Sequence, residues 1–223
     1  MQSAARIITT HAPRRPEGLV LVLHGGASRR DSPMVSPTQL SVLRMVPVAR
    51  RIARAGRGRL VVVRLLNSAR GWDTRHTPVD DVRWALGELA REYDGLPAGL
   101  VGHSLGGRAA LMAADAGPVR SVVALNPWVQ PSDRVDLKGN PALVVHGSED
   151  RVADPQRAAA LVRRMGRTGP VGLLNVTGGS HAMLRHGAVF ERAAADFVTA
   201  TLLGDRVSGP VADLLDGTRE VTV

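Results

Sequence analysis

The stretch Leu100-Val101-Gly102-His103-Ser104-Leu105-Gly106 decides how this chain is read. An apolar segment opened by Pro97 runs into G-x-S-x-G, and the helix former Arg108-Ala109-Ala110-Leu111-Met112-Ala113-Ala114 follows. Strand, tight turn and helix are the context in which this pattern carries chemistry. The reason is steric. A serine on so sharp a turn is forced into a strained backbone conformation that lifts its hydroxyl above the sheet. Glycines at positions 102 and 106 let strand and helix close on that turn. Glycine and serine are common, so the five residues alone describe an inert strand-to-helix turn equally well. The deciding question is whether the chain also supplies a base, an acid and an oxyanion site.

The segments around the motif alternate in period. Ala5–Thr10 reads as a short edge strand, and Gly18–Leu23 as a strand apolar on both faces. Pro37–Ala55 has helical spacing, with Pro47 expected to kink or split it and Gly56 and Gly58 to end it. Leu60–Leu66 is a second buried strand. A helix opens at Pro78, with Asp80 and Asp81 in its first turn, and runs to Tyr93. Strands follow at Val119–Leu125, Ala142–Val145 and Val171–Val176, and helices at Asp154–Met165 and His186–Leu203. Such alternation implies an α/β fold: a doubly wound, mostly parallel sheet with helices on both faces. One domain spans residues 1–223, with a core at about 18–203 and a tail from Gly204. The amphipathic stretch Pro210–Leu215 in that tail is expected to dock on the domain or on a second subunit.

In open α/β sheets, chemistry gathers beyond the carboxyl ends of the strands. After Gly18–Leu23 stands His24-Gly25-Gly26-Ala27, whose glycines would let a substrate reach backbone N–H groups. The expected oxyanion donors are the N–H of Gly26, with Ala27 as fallback, and the N–H of Leu105 at a helix start. After Ala142–Val145 stands His146-Gly147-Ser148-Glu149-Asp150, which offers two carboxylates. After Val171–Val176 stands Gly178-Gly179-Ser180-His181. A histidine on a glycine-rich loop suits a mobile, solvent-reachable base better than a core residue. Trp128, in Ala124-Leu125-Asn126-Pro127-Trp128, and Trp72 are candidate lining for an acyl pocket. His11, His76, His103 and His186 are expected to be structural or exposed.

Serine, acid and histidine in that chain order resemble the α/β-hydrolase superfamily from about Gly18 to Leu203. The residues that carry the likeness are His24–Gly26, Gly102–Gly106, the H-G-x-x-D segment at His146–Asp150, and the G-x-H loop at Gly179–His181. The resemblance implies a triad of Ser104, Asp150 and His181, and favours Asp150 over Glu149 as the acid. The chain is also similar to the dienelactone-hydrolase-like group. It departs from that group's cysteine nucleophile, so a lactone substrate is not carried over. Family members often insert a cap between the strand after the elbow helix and the acid-bearing strand. Here only Val129–Asn140 fills the gap, which implies an open, capless site. Arg29 and Arg30, in the Ser28–Thr38 loop, are candidates to meet an anionic substrate group.

The implied activity is hydrolysis of a carboxylic ester or thioester through an acyl-enzyme. Acyl transfer or cyclisation by the same triad, and a non-catalytic binding protein on this fold, are the alternatives. The expected partner is a small-molecule acyl substrate, with no cofactor and no metal.

Composition narrows the other classes. The absence of cysteine excludes disulfides, thiolate nucleophiles and cysteine metal sites. The net charge of +9 raises nucleic acid as a partner. Nearly all of that charge is arginine, scattered and without interleaved aromatics; Lys138 is the one lysine. A solvated basic surface explains it better. The start of the chain shows no signal peptide and no run long enough for a bilayer, so a cytoplasmic, non-membrane protein is expected. Oligomeric state stays open.

Overall fold

The computed structural model describes residues 5–26 and 35–223. In chain order the elements are β1 (Arg6–His11), β2 (Gly18–Leu23), α1 (Leu40–Leu43), α2 (Met45–Ala55), β3 (Leu60–Leu66), α3 (Thr77–Ala90), β4 (Ala98–His103) and α4 (Leu105–Met112). Then follow β5 (Val119–Leu125), β6 (Ala142–Gly147), α5 (Pro155–Met165), β7 (Val171–Val176), α6 (Gly187–Leu203), α7 (Pro210–Leu215) and β8 (Glu220–Thr222). Among the described residues the eight strands join one sheet in the order β1-β3-β2-β4-β5-β6-β7-β8, and of these only β1 runs antiparallel, against β3. This is the doubly wound, mostly parallel sheet that the alternating pattern implies.

The strands β2, β4 and β6 are buried along their whole length, because helices cover both faces. On one face α3, α4 and α5 pack Val82, Leu86, Ala110 and Leu161 against Leu21, Leu100 and Val144. On the other, α2 and α6 pack Ile52, Phe190 and Val198 against Val22, Val101 and Val123. Alternate residues of one strand thus serve opposite cores.

The winding direction reverses between β2 and β4. From β2 the chain crosses to β3 on one side, and then returns past β2 to β4 on the other. The helices that follow these two neighbouring strands, α2 and α4, lie on opposite faces. Their connections therefore diverge, and a crevice opens beyond the carboxyl ends of β2 and β4. That crevice lies between His24-Gly25-Gly26 and His103-Ser104.

Three expectations shift in detail. The break in the long helical segment falls at Arg44, ahead of Pro47. Pro47 then sits in the first turn of α2, where its missing N–H costs nothing. The tail docks on the domain: Val211 and Leu214 of α7 are buried in the α2–α6 core. The strand β8, which pairs parallel with β7, has no signature in the sequence, being three residues with one half-buried valine. Among the described residues no helix is long and apolar enough to cross a membrane.

The connection between β5 and β6 has no helix, so among the described residues no cap stands over the sheet. It is tied to α4 by a buried ion pair. Arg108 donates from Nε to Asp133 Oδ2 at 2.8 Å and from Nη2 to Oδ1 at 2.5 Å. Asp133 also accepts the Gln130 N–H at 2.8 Å. Removing one partner strands the other charge in the interior. Asp133→Ala is expected to cost about 3–5 kcal/mol in urea unfolding. The double change Arg108→Met with Asp133→Leu is expected to lose much less, because it leaves no unpaired charge.

Candidate active site

The site is built on the turn between β4 and α4. Ser104 has φ 56° and ψ −120°, a conformation that a non-glycine residue holds only under constraint. The constraint is close packing. A Cβ at Gly102 would stand 2.1 Å from the Gly106 carbonyl oxygen. One at Gly106 would stand 2.5 Å from the His24 carbonyl oxygen. Strand, helix and the His24-Gly25-Gly26 loop meet where no side chain fits.

Around Ser104 the three predicted residues come together. His181 Nε2 lies 3.0 Å from Ser104 Oγ, and His181 Nδ1 lies 2.7 Å from Asp150 Oδ2. The carboxylate fixes the tautomer: Nδ1–H donates to Asp150, so Nε2 is free to accept the serine proton. Burial pushes the Asp150 pKa up, but hydrogen bonds from His146, His181 and the Ala153 and Val152 N–H groups outweigh it. The net result is a carboxyl held well below the usual range, ionised at neutral pH. Asp150 is buried, whereas the competing Glu149 is exposed.

The acid and histidine loops pack as tightly as the elbow. A Cβ at Gly147 would stand 2.2 Å from the Gly179 carbonyl oxygen. Glu149 N–H donates to that same carbonyl at 2.9 Å, and Gly178 N–H donates to Ser148 Oγ at 2.9 Å. The His181 side chain is 16% exposed, and hydrogen bonds hold its backbone.

Two residues supply the clamp. His103, the x of G-x-S, donates from Nε2 to the His181 carbonyl at 2.8 Å, with its ring centroid 4.9 Å from the His181 ring. Asn126, at the end of β5, donates from Nδ2 to the Ser180 and His181 carbonyls at 3.0 and 3.3 Å. Its Oδ1 accepts the Gly147 N–H at 2.8 Å. One fully buried side chain thus bridges the acid strand and the histidine loop. It sits at φ 43°, a conformation that asparagine tolerates better than most residues. The one signal for Asn126 in the sequence is its place directly at a strand end beside the motif strand.

The backbone around the expected oxyanion groups is closely packed. A Cβ at Gly25 would stand 3.1 Å from the Ser104 Cβ, and one at Gly26 1.9 Å from the Arg70 carbonyl oxygen and 3.4 Å from a Leu105 methyl carbon. Leu105 opens α4, so its N–H has no acceptor within the helix. His24 braces this loop: it is buried, accepts the Asn67 N–H at Nε2 and lies 2.5 Å through Nδ1 from the Gly25 carbonyl. Ala27, Arg29 and Arg30 lie outside the described residues. Trp72 and Trp128 meet each other's neighbourhood, but on Arg108: their rings lie 4.0 and 5.7 Å from its guanidinium carbon. The geometry thus gives both indoles a cation–π packing role. His76 and His186 stand at the starts of α3 and α6.

Residues 19–140, just over half of the chain, match the model of the α/β hydrolase family. The chain belongs to that family. No curated protein matches its sequence. Among solved structures it is similar to a lidless α/β serine hydrolase from Xanthomonas campestris, at 20% identity and a TM-score of 0.67, covering 91% of this chain and 90% of that one. It is also similar to an α/β serine hydrolase homologue from Coxiella burnetii, at 18% identity and a TM-score of 0.65, with 86% and 89% covered. A third is Est1E from Butyrivibrio proteoclasticus, at 14% identity and a TM-score of 0.65, with 89% and 94% covered.

Burial, with the nearby His181 and Arg44 adding to it, lowers the His103 pKa to about 3. In the unfolded chain it returns to about 6.5. Between those values the unfolded state binds the extra proton, so folding stability is full above pH 6.5 and falls as the pH drops toward 3. The slope from this residue is up to about 1.4 kcal/mol per pH unit. Urea unfolding of His103→Gln between pH 4 and 7 is expected to show a shallower dependence than the parent; an unchanged slope would remove His103 as the cause.

Proposed function

We propose that this α/β hydrolase cleaves a carboxylic ester or thioester of a small molecule through an acyl-enzyme on Ser104. The observation that carries the reading is the unbroken chain from Ser104 Oγ through His181 to the buried, ionised Asp150, at 3.0 and 2.7 Å. A serine hydroxyl is a poor nucleophile until a base accepts its proton as it attacks. His181 takes that proton at Nε2, and Asp150 stabilises the imidazolium that forms. The carbonyl carbon becomes tetrahedral, and its oxyanion faces the N–H groups of Gly26 and Leu105. Preorganised donors of this kind need no rearrangement as charge develops. His181 then returns the proton to the leaving oxygen or sulfur. In the second half-reaction it deprotonates the water that releases the acid.

Ser104→Ala is expected to abolish turnover of p-nitrophenyl acetate and labelling by a fluorophosphonate probe, with the urea midpoint little changed. Undiminished turnover would sink the assignment. Asp150→Asn is expected to lower kcat by at least a thousandfold, and Glu149→Gln by less than threefold.

The clamp on His181 makes a separate expectation. Asn126→Ala is expected to lower kcat tenfold or more, with KM changed less than threefold, because it loosens the base without touching substrate. A fall in stability with kcat retained would reduce Asn126 to a structural residue.

A further inference from the structure

Three of the large apolar side chains most exposed to solvent stand together. Leu40 of α1 is 77% exposed, Leu43 45%, and Leu184, three residues beyond His181, 81%. They rim a groove of about 310 Å³ between the start of α1–α2 and the segment that leads into α6. Its other apolar lining comes from Pro47, Met183 and the buried ring of Phe190. Isolated exposed leucines need no explanation, but a contiguous rim over an apolar floor marks a binding groove. The backbone is shaped for it. Met183 holds φ 56°, which turns its own side chain into the core while Leu184 stays outside.

The groove lies beside the candidate active site. Ala182, Met183 and Leu184, which line it, follow His181 directly. Helices α2 and α6 share one face of the sheet, and both begin at the carboxyl end of the strands, where Ser104 lies. Two charged residues line the groove, Arg44 and Glu191. Arg44 forms no ion pair with a described residue, and burial lowers its pKa. Its charge reaches His103, the residue before Ser104. Arg44 offers a cation to a carboxyl-derived group and the leucines suit hydrocarbon, while Glu191 is the other charge on the lining.

We infer that this groove binds the aliphatic acyl chain of the substrate, with the carboxyl-derived end toward Arg44 and Ser104 and the alkyl tail along Leu43 and Leu184. The inference rests on the acyl-enzyme reading and deepens it: the substrates are esters or thioesters of linear fatty acids, selected on the acyl side. Burying one methylene fully is worth about fourfold in binding, so a half-open groove returns roughly twofold per methylene.

The test compares p-nitrophenyl esters from acetate to octanoate, alongside acetate esters of lengthening alcohols. The kcat/KM is expected to rise about twofold per acyl methylene, and to stay flat with alcohol length. Leu43→Asp and Leu184→Asp alter exposed side chains, so folding is retained; both are expected to flatten the acyl series. A second measurement does not depend on turnover. Calorimetric titration of Ser104→Ala with decanoate is expected to show binding that weakens at least tenfold when Leu43→Asp or Leu184→Asp is added. Cleavage of acetate esters with a flat acyl series and no decanoate binding would overturn the groove and leave the catalytic reading intact. Decanoate binding that both variants weaken, in a protein inert toward every ester, would uphold the groove and overturn the catalytic reading. A series that steepens with alcohol length, or that neither variant changes, would overturn the acyl assignment.

Discussion

Everything in this molecule that bears on chemistry depends on how closely β4 and α4 approach at Ser104. The backbone of Gly102 passes so near that of Gly106 that a Cβ on Gly102 would overlap the Gly106 carbonyl, and a Cβ on Gly106 would overlap the His24 carbonyl of the neighbouring loop. This contact holds Ser104 at φ 56°, and tertiary packing on both faces of the sheet supplies the energy that keeps it there. Local strain of about 1–3 kcal/mol is sustainable only where the surroundings over-determine the conformation. Here they do, because β4 is central in the sheet and buried along its length.

The same device recurs one layer out. Gly147 and Gly179 bring the acid and histidine loops into backbone contact, as Gly102 and Gly106 do for strand and helix. Asn126 then ties the two loops to the strand between them and the serine. Three strand ends, β5, β6 and β7, are thereby linked by a single side chain. The distances among Ser104, His181 and Asp150 follow from backbone packing and amide hydrogen bonds. A side chain held this way has little conformational freedom to lose.

The absence of a cap has a second consequence. With no helix in it, the β5–β6 connection is drawn down onto α4 by Arg108 and Asp133. Apolar surface near Ser104 is then left to the loops and helix starts around it. The exposed leucines of α1 and of the segment after His181 are where this chain presents such surface.

Much of this was legible before any coordinates. Buried strands are written as continuous apolar runs, and helices as amphipathic segments, so the order of elements and the doubly wound class followed from periodicity. The motif at Gly102–Gly106 and the carboxylate and histidine at later strand ends named Ser104, Asp150 and His181, which the fold brings within hydrogen-bond reach, because each type has a restricted chemistry and a restricted place. The short strand β8 and the backbone packing of the His181 loop were not legible. Nor were the roles of Asn126 and His103, or the capture of Trp72 and Trp128 by Arg108. Each of these is a contact between segments far apart in the chain. Periodicity and motif report what one segment does by itself. Which distant carbonyl an asparagine meets, or which cation an indole covers, is set only when the sheet closes and its strand ends come together.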